Sequence, residues 1–274
     1  MISVNTNSGS MIALQTLNRT NNQLERTQNT IATGLKVASA KDNGALFAIA
    51  NKMRSDVTAY DRVRESIDRA SSILDTGIAA GESIMELLNE MKGKALAATQ
   101  PGNSTAASAA LNADFIQLRD QVTNIIANAV FDGANMISGT PNNAVALGDA
   151  NGGNNITVNG ISLALGSTTI PVTATQTVDT TANAATALTN VNNAIDRLGT
   201  QLATWGAGAK RFEVHRNFVG KLQDALSNGI GAIADADLAK ESAKLQALQV
   251  KQQLGIQALS IANGSSQTAL SLFR

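Results

Sequence analysis

The 274-residue sequence contains no cysteine and only one histidine, His215. The lack of cysteine excludes disulfides and thiolate metal sites. A single imidazole outside any H-E-x-x-H pattern argues against a catalytic metal and against a His-based triad. We therefore predict that the protein is not an enzyme and uses no cofactor, and that His215 lies on the surface of a helix.

Aromatic side chains and net charge are also scarce. Aromatic residues make up 3% of the chain, and 21 basic residues balance 21 acidic ones. Cores built from Ala, Leu and Ile suit long packed helices. A net charge near zero gives no indication of nucleic-acid binding and favours self-association over repulsion.

Membrane and secretion signals are missing as well. The sequence has no run of 18 apolar residues, and residues 1–20 lack a basic region followed by an apolar one. These absences predict no membrane insertion and no cleavable signal peptide. We expect either a cytosolic protein or one that is exported by a route without such a signal.

The stretch 237–274 contains no proline, is rich in helix formers and carries two apolar rows. The first row holds Leu238, Leu245, Leu248 and Leu259, with Gly255 between them, and the second holds Val250, Leu254, Ala258 and Ile261. At about 100° per residue these rows lie on opposite faces of one helix. We expect one face to meet this chain and the other to meet neighbouring copies; the alternative is a C-terminal helix buried in an ordinary core.

The N-terminal stretch 2–40 predicts a helix with a single apolar face. That face holds Leu14, Leu17, Leu24, Ile31 and Leu35, and the opposite face is polar. Its natural partner is the C-terminal helix, which has apolar surface to spare. Gly34 is expected to interrupt the helix, and Asp42 or Asn43 is available to cap the next one.

Residues 46–98 keep apolar spacing of three and four over about seven heptads, which predicts a helix roughly 80 Å long. A turn at Pro101-Gly102 and a shorter apolar pattern over 111–129 predict a second helix that folds back antiparallel. Asp132-Gly133 is expected to form a turn after it. Helical spacing resumes near Ala184, with slips near Gly206 and Gly208, and Asp235-Ala236-Asp237 supplies a cap for the last helix.

Between these helices, residues 138–183 are rich in Gly, Asn, Ala and Thr and nearly uncharged. Ile156–Val158 and Ile161–Leu165, separated by Asn159-Gly160, predict a hairpin with a type I′ turn. Ile170-Pro171-Val172 predicts a further edge strand. We expect a small β insertion at the far end of a rod, from which residues 140–181 could be removed without loss of assembly.

The fold class that results is mainly α: an elongated antiparallel helical rod or coiled coil with paired terminal helices and a small β-rich insertion. The order of elements is palindromic. The predicted divisions are 1–38, 39–137, 138–183, 184–234 and 235–274.

Several motifs resemble bacterial flagellin over residues 1–137 and 184–274. They are Ser3–Asn7, Ile31–Val37, Ser39–Ala45, Phe131-Asp132-Gly133, Lys240–Gln246, and the C-terminal run from Asp235-Ala236-Asp237 to Ser271-Leu272-Phe273-Arg274. They occur in the family's order at both ends of the chain, and the short flagellins with the Lys240–Gln246 run resemble this chain most.

The resemblance implies a subunit that polymerises into the helical filament of the bacterial flagellum, outside the cell, after export in unfolded form. It implies that 1–38 and 235–274 form an inner filament domain, that 39–137 and 184–234 form the rod, and that 138–183 is a variable outer domain. The implied partners are further copies of the chain, an export chaperone, and hook-associated and cap proteins. The residues expected at subunit contacts are Leu14, Leu17, Leu24, Ile31, Leu238, Leu245, Leu248, Val250, Leu254, Leu259, Ile261, Leu272 and Phe273.

The chain departs from the family pattern in two places. Ala262-Asn263 is followed by Gly264 where many members have a nearby proline. The Arg-x-Arg-Glu-Leu-x-Val run that an animal innate immune receptor recognises matches residues 92–98, where Lys92 and Lys94 replace both arginines and only Leu96 is kept. Lysine cannot reproduce the bidentate arginine fork, so this motif is degenerate.

Two other functional classes share parts of this pattern. A hook–filament junction protein has the same terminal helices but forms a single ring and carries a larger middle region. An enzyme on this scaffold would need a catalytic insertion, whereas 138–183 holds only two acidic residues, Asp149 and Asp179, and no histidine. The short insertion favours the filament subunit.

Overall fold

The computed structural model describes residues 6–271, and the side chains of residues 6–264. Within this part of the chain five helices and two short strands follow one another. They are α1 (Ser8–Thr33), α2 (Gly44–Ala98), α3 (Thr105–Asn128), β1 (Ala144–Ala146), β2 (Ile156–Val158), α4 (Thr181–Ala234) and α5 (Leu238–Ser271). The predicted mainly α class with a small β component is confirmed.

The chain divides into two compact units. Unit 2 contains Asp56–Gln223, and unit 1 contains the described residues before and after it, 6–55 and 224–271. Helices α2 and α4 each contribute residues to both units. These divisions differ from the five predicted ones, because the long helices run on where the sequence suggested domain edges.

Helix ends follow the predicted capping chemistry. Asn43 caps α2, since its side-chain oxygen accepts a hydrogen bond from the Leu46 amide at 3.0 Å. Asp42 instead closes the preceding turn, and hydrogen bonds from Ser39 hold the pKa of its carboxyl below the usual 3.8. Asp237 caps α5 by accepting from the Lys240 amide at 3.1 Å, as the sequence predicts.

In unit 2, α2 and α4 run antiparallel along each other. Gln223 hydrogen-bonds Asp61 at 2.8 Å, and Arg216 forms a salt bridge with Asp68 at 2.7 Å. Further along, Gly81 faces Leu202. From one contact to the next, the residue number rises along α2 and falls along α4. This confirms the predicted antiparallel pairing of these two helices within unit 2.

The core of unit 2 is built from one face of each helix. Leu74, Ile84 and Leu88 of α2 are at most 1% exposed, and α3 adds Phe115. Helix α4 adds Trp205, whose indole N–H donates to the Asn159 carbonyl at 2.9 Å. The core is continuous along these helices and is formed by side chains of this chain alone.

The segment between α3 and α4 packs along the helices. The Leu147 amide donates to the Ser66 hydroxyl at 3.1 Å, and the Gly148 carbonyl accepts from His215 at 2.8 Å. Seven apolar side chains of residues 138–183 are buried in the core. They are Ala144, Ala146, Val158, Leu163, Ile170, Val172 and Val178. The sequence predicted a projecting insertion; the structure shows a layer of unit 2, because these seven side chains are buried, although Val145 is exposed.

The predicted hairpin is wrong. β2 pairs antiparallel with β1, with Ala144 opposite Val158 and Ala146 opposite Ile156, and residues 161–165 form no strand. The predicted edge strand at Ile170–Val172 is absent from the described structure as well. Asn159-Gly160 turns the chain away from β2, because the Ile161 amide donates to the Met136 carbonyl at 2.9 Å.

The predicted slips at Gly206 and Gly208 do not occur, since α4 is continuous over both glycines. Gly208 instead allows α4 and β2 to lie close together, because a Cβ at this position would be 2.7 Å from a methyl of Val158. The Asp132-Gly133 turn is confirmed, with positive φ of 49° and 75° at its two central residues.

Replacing Leu74 or Leu88 with Asp is expected to lower the stability of unit 2 by several kcal/mol, because each change buries an unpaired carboxylate. The measurement is thermal unfolding followed by far-UV circular dichroism and Trp205 fluorescence. Ser83→Asp, at an exposed position of the same helix, is the control. A melting temperature that stays the same in Leu74→Asp would contradict the core described above.

The structure also reverses the expectation for the insertion. Replacing residues 140–179 with a Gly/Ser linker should destabilise unit 2, because it removes the seven buried side chains and uncovers Trp205. We expect a lower melting temperature and a red shift of Trp205 emission. The same linker inserted at the exposed Asn151-Gly152 turn is the control; equal stability of the two variants would show that this layer carries no packing energy.

Candidate assembly interface

The candidate site is the pair formed by α1 and α5 in unit 1. The Asn7 side chain donates to the Ala262 carbonyl at 2.7 Å, and Gln252 donates to Asn21 at 2.8 Å. At the other end the Ala236 amide donates to the Gly34 carbonyl at 2.9 Å. The two helices are therefore antiparallel, as the predicted pairing requires.

The junction at the base of the pair is held by main-chain hydrogen bonds. Leu35 and Asp235 form an antiparallel bridge, and the Lys36 amide donates to the Ala234 carbonyl at 2.7 Å. Gly34 ends α1 as predicted, with a φ of 70°. This junction connects the end of α1 to the break between α4 and α5, so it sets the register of the pair.

The first apolar row of α5 faces α1. Leu248 is 7% exposed, and Leu245 and Leu259 are half-buried. Gly255 lies against Leu17, whose methyl is 3.3 Å from where a Cβ of residue 255 would stand. Leu238, in the same row, is 48% exposed at the start of the helix.

The second row of α5 faces away from α1. Val250 is 57% exposed, Leu254 58% and Ile261 74%, and Ala258 is exposed too. The structure therefore places the two rows on different sides of the helix, as their spacing predicts. Within the described residues the chain leaves the second row in solvent; its role as a subunit contact stays a prediction.

On α1 the most buried side chains are two threonines that the apolar pattern did not single out. Thr20 is 2% exposed and donates to the Thr16 carbonyl at 3.0 Å, while Thr27 is 1% exposed and its hydroxyl has no hydrogen-bond partner. Both fall on the heptad positions between Leu17, Leu24 and Ile31, which are only half-buried. Heptad spacing could have identified them; apolarity alone could not.

Other predicted residues fall outside this seam. Leu14 is 48% exposed, beside the exposed Met11 and Ile12. Leu272 and Phe273 lie outside the described residues. α1 thus carries apolar surface of its own that α5 leaves uncovered near the N-terminus.

The degenerate immune-receptor motif lies in unit 2, toward the end of α2. Lys92 is exposed, Leu96 is 53% exposed, and Lys94 forms a salt bridge with Asp114 at 2.6 Å. Ala95, at the position of the motif's glutamate, is fully buried. The expectation that this motif is degenerate for binding the immune receptor stays a prediction.

The described residues contain no group of three or more His, Asp or Glu side chains able to hold a metal. None of the helices described is both long and apolar enough to cross a membrane. His215 is half-buried on α4 rather than fully exposed, because its Nε2 donates to Gly148. The Asp149 carboxylate accepts three backbone hydrogen bonds, which lower its pKa below 3.8.

Comparison with known proteins matches this architecture. Residues 4–142 match the bacterial flagellin N-terminal helical region, and residues 188–273 match the bacterial flagellin C-terminal helical region. The chain is 46% identical to flagellin FljO of Caulobacter vibrioides over 272 residues, covering 99% of this chain and 98% of that protein. It is 37% identical to a flagellin of Brucella melitensis over the full length of both.

A solved structure agrees. The crystal structure of Bacillus cereus flagellin superposes with a TM-score of 0.50 at 25% identity, covering 56% of this chain and 88% of that chain. The matched models cover both helical ends of the chain, and the relatives extend over nearly its whole length. The chain therefore belongs to the bacterial flagellin family, the structural subunits of the flagellar filament.

Proposed function

We propose that this flagellin polymerises by burying the second row of α5 against neighbouring copies. The observation that carries the proposal is the exposure of Val250, Leu254 and Ile261 on a helix whose opposite side already has a partner. A continuous apolar row in solvent on a soluble subunit marks an interaction surface.

Burial by neighbouring copies favours a polymer over a lone helix pair. Fully burying a Leu-sized side chain contributes about 1.5–3 kcal/mol, and each subunit would bury three such side chains from this row as well as the exposed Met11, Ile12 and Leu14 of α1. One partner helix leaves all of these side chains in solvent.

The α1–α5 seam supports a second part of the proposal: residues 1–38 and 237–274 are largely disordered in the free subunit and become helical on assembly. Within the described parts of α1 and α5, only Thr20, Thr27 and Leu248 are buried. Two of these three side chains are polar, and one hydroxyl lacks a partner. A pair of helices with so little apolar burial is marginal in water.

The same surface suits the other partners that the family resemblance implies. An export chaperone would cover the second row before assembly, and cap and hook-associated proteins would contact it at the filament ends. Export in unfolded form, without a cleavable signal, fits a chain without disulfides whose terminal helices fold last. The relatives are themselves flagellins over their full length, and no observation favours a hook–filament junction protein.

We expect Leu254→Asp and Ile261→Asp to block filament growth while unit 2 stays folded, because a charge in a buried contact costs several kcal/mol. Sedimentation and electron microscopy after seeding with wild-type filament fragments measure growth, and Trp205 fluorescence reports on unit 2. Gln249→Asp, at an exposed polar position between the two rows, is the control. Leu245→Asp should also weaken the pairing with α1. Normal growth of both outer-row variants would refute the proposed interface.

Assembly should also raise helix content. Far-UV circular dichroism of subunits and filaments at equal concentration is expected to show a gain that corresponds to α1 and α5, and limited proteolysis of subunits should cut first within 1–38 and 237–274. Termini that resist protease in the free subunit, with no gain of helicity on assembly, would mean that the α1–α5 pair is stable by itself.

A further inference from the structure

An apolar groove lies on the surface of unit 2, along the side of α4 that faces β2. We call it the α4 groove; its lining residues are Ile156, Ala207, Lys210, Arg211, Val214 and Phe218, with His215. Val214 is 58% exposed and Phe218 57%. An exposed aromatic side chain beside an exposed valine on a folded core is an unpaired apolar surface, and such a surface needs an occupant.

His215 fixes the shape of the groove. Its Nε2 donates to the Gly148 carbonyl at 2.8 Å, which ties α4 to the loop after β1. Its ring also lies 6.0 Å from the ring of Phe218. Because both contacts hold the aromatic side chains in place, the groove exists before anything binds to it, and binding requires little reordering.

The lining of the groove is basic. It contains Lys210 and Arg211 and no acidic residue, and Lys221 follows Phe218 by three residues on the same side of α4. Lys210 is neutralised by Glu213, whereas Arg211 and Lys221 form no salt bridge with any residue that the structure describes. The groove therefore fits an apolar surface that carries negative charge.

The chain itself provides such a surface on α2. Residues 70–91 contain four acidic residues and no basic one. At about 100° per residue one narrow stripe of the helix, which we call the α2 acidic stripe, holds Asp75, Glu82, Glu86, Asn89, Gly93 and Leu96, all of them exposed. Leu96 is 53% exposed and gives the stripe an apolar end. Lys92 and Lys94, the next basic residues, fall outside this stripe.

Within one subunit the far end of the stripe is out of reach of the groove. Arg216, next to His215 on α4, forms a salt bridge with Asp68 and so lies level with it on α2. Asn89 is about 30 Å further along α2, at 1.5 Å per residue. Asn89 and Leu96 are therefore held apart from Phe218 by the packed helix pair.

We propose that the α4 groove of one subunit binds the α2 acidic stripe of a second copy. Arg211 and Lys221 meet glutamates of the stripe, and Phe218 and Val214 pack against its apolar atoms and Leu96. Such a contact joins two different surfaces of the same chain, and repeated copies of a heterologous contact generate an open helical polymer. The inference rests on the proposed function, since it assigns a second subunit contact to that polymer.

Charge-swap variants of the full-length chain test the pairing. Arg211→Glu and Glu86→Lys should each raise the critical concentration for seeded growth about tenfold, the effect of losing one well-placed contact. The double variant, Arg211→Glu with Glu86→Lys, should return it to within about threefold of wild type. Asp196→Lys makes the same charge change as Glu86→Lys at an exposed position outside the stripe and should leave growth unchanged.

Cross-linking tests proximity directly, because the chain has no cysteine of its own. Filaments of Asn217→Cys/Asn89→Cys, oxidised after assembly, should give a ladder of covalent dimers and larger species on a non-reducing gel. Each single-cysteine variant should give none. A disulfide requires Cα atoms within about 7 Å, so within one subunit the two cysteines are too far apart to react.

The outcomes separate this inference from the one it rests on. Filaments that form in both single charge variants as in wild type, with no covalent ladder, would overturn the groove–stripe contact and leave the α5 interface standing. Single variants that are impaired but not rescued in the double variant, again without a ladder, would show that the groove binds something other than the stripe, and would also overturn it. A wild-type chain that forms no filaments would overturn both.

Discussion

Helix α5 has apolar side chains on two sides, and the chain supplies a partner for only one of them. Leu245, Leu248 and Leu259 face α1, while Val250, Leu254 and Ile261 face solvent. Within one subunit α1 cannot cover both sides of α5, since it presents one narrow seam whose most buried positions are threonines. Neighbouring copies can cover the second side, because each adds apolar surface and no further residues of this subunit have to be ordered. In the proposed assembly, the terminal helices supply half of an interface that neighbouring copies complete.

Unit 2 differs from the terminal helices, because its core is continuous over α2, α3 and α4. In the proposed assembly it stays folded in the free subunit, before the terminal helices have bound neighbouring copies. The layer between α3 and α4 contributes to that stability, because many of its apolar side chains are buried in the core. Trp205 shows how closely this layer is joined to the helices, since its indole N–H donates to the Asn159 carbonyl. A polar, glycine-rich segment can therefore belong to a core when enough of its apolar residues lie on one side.

Charge is distributed unevenly in a chain whose net charge is zero. The segment of α2 that contains Glu82 and Glu86 is acidic, and the segment of α4 that contains Arg211 and Lys221 is basic. In a monomer such separation contributes little, because exposed charges this far apart are screened by salt. In a polymer of identical subunits it favours contact between unlike surfaces, and it disfavours contact between two copies of the same surface. Complementary charge of this kind sets the orientation of neighbours more than the strength of their binding.

The sequence by itself determined the helices, their caps and the family, because periodicity and capping residues act over one or two turns. Heptad spacing predicts α2, Asp237 predicts the start of α5, and the two apolar rows predict two faces that the structure indeed separates. Tertiary structure alone decided which strand pairs with β2 and where the segment 138–183 lies, since Asn159-Gly160 permits a tight hairpin but the competing bond from Ile161 to Met136 depends on distant residues. It also decided that Thr20 and Thr27 would be the most buried residues of α1. Heptad spacing places both threonines between Leu17, Leu24 and Ile31, but how deeply a polar side chain is buried depends on the partner helix opposite it.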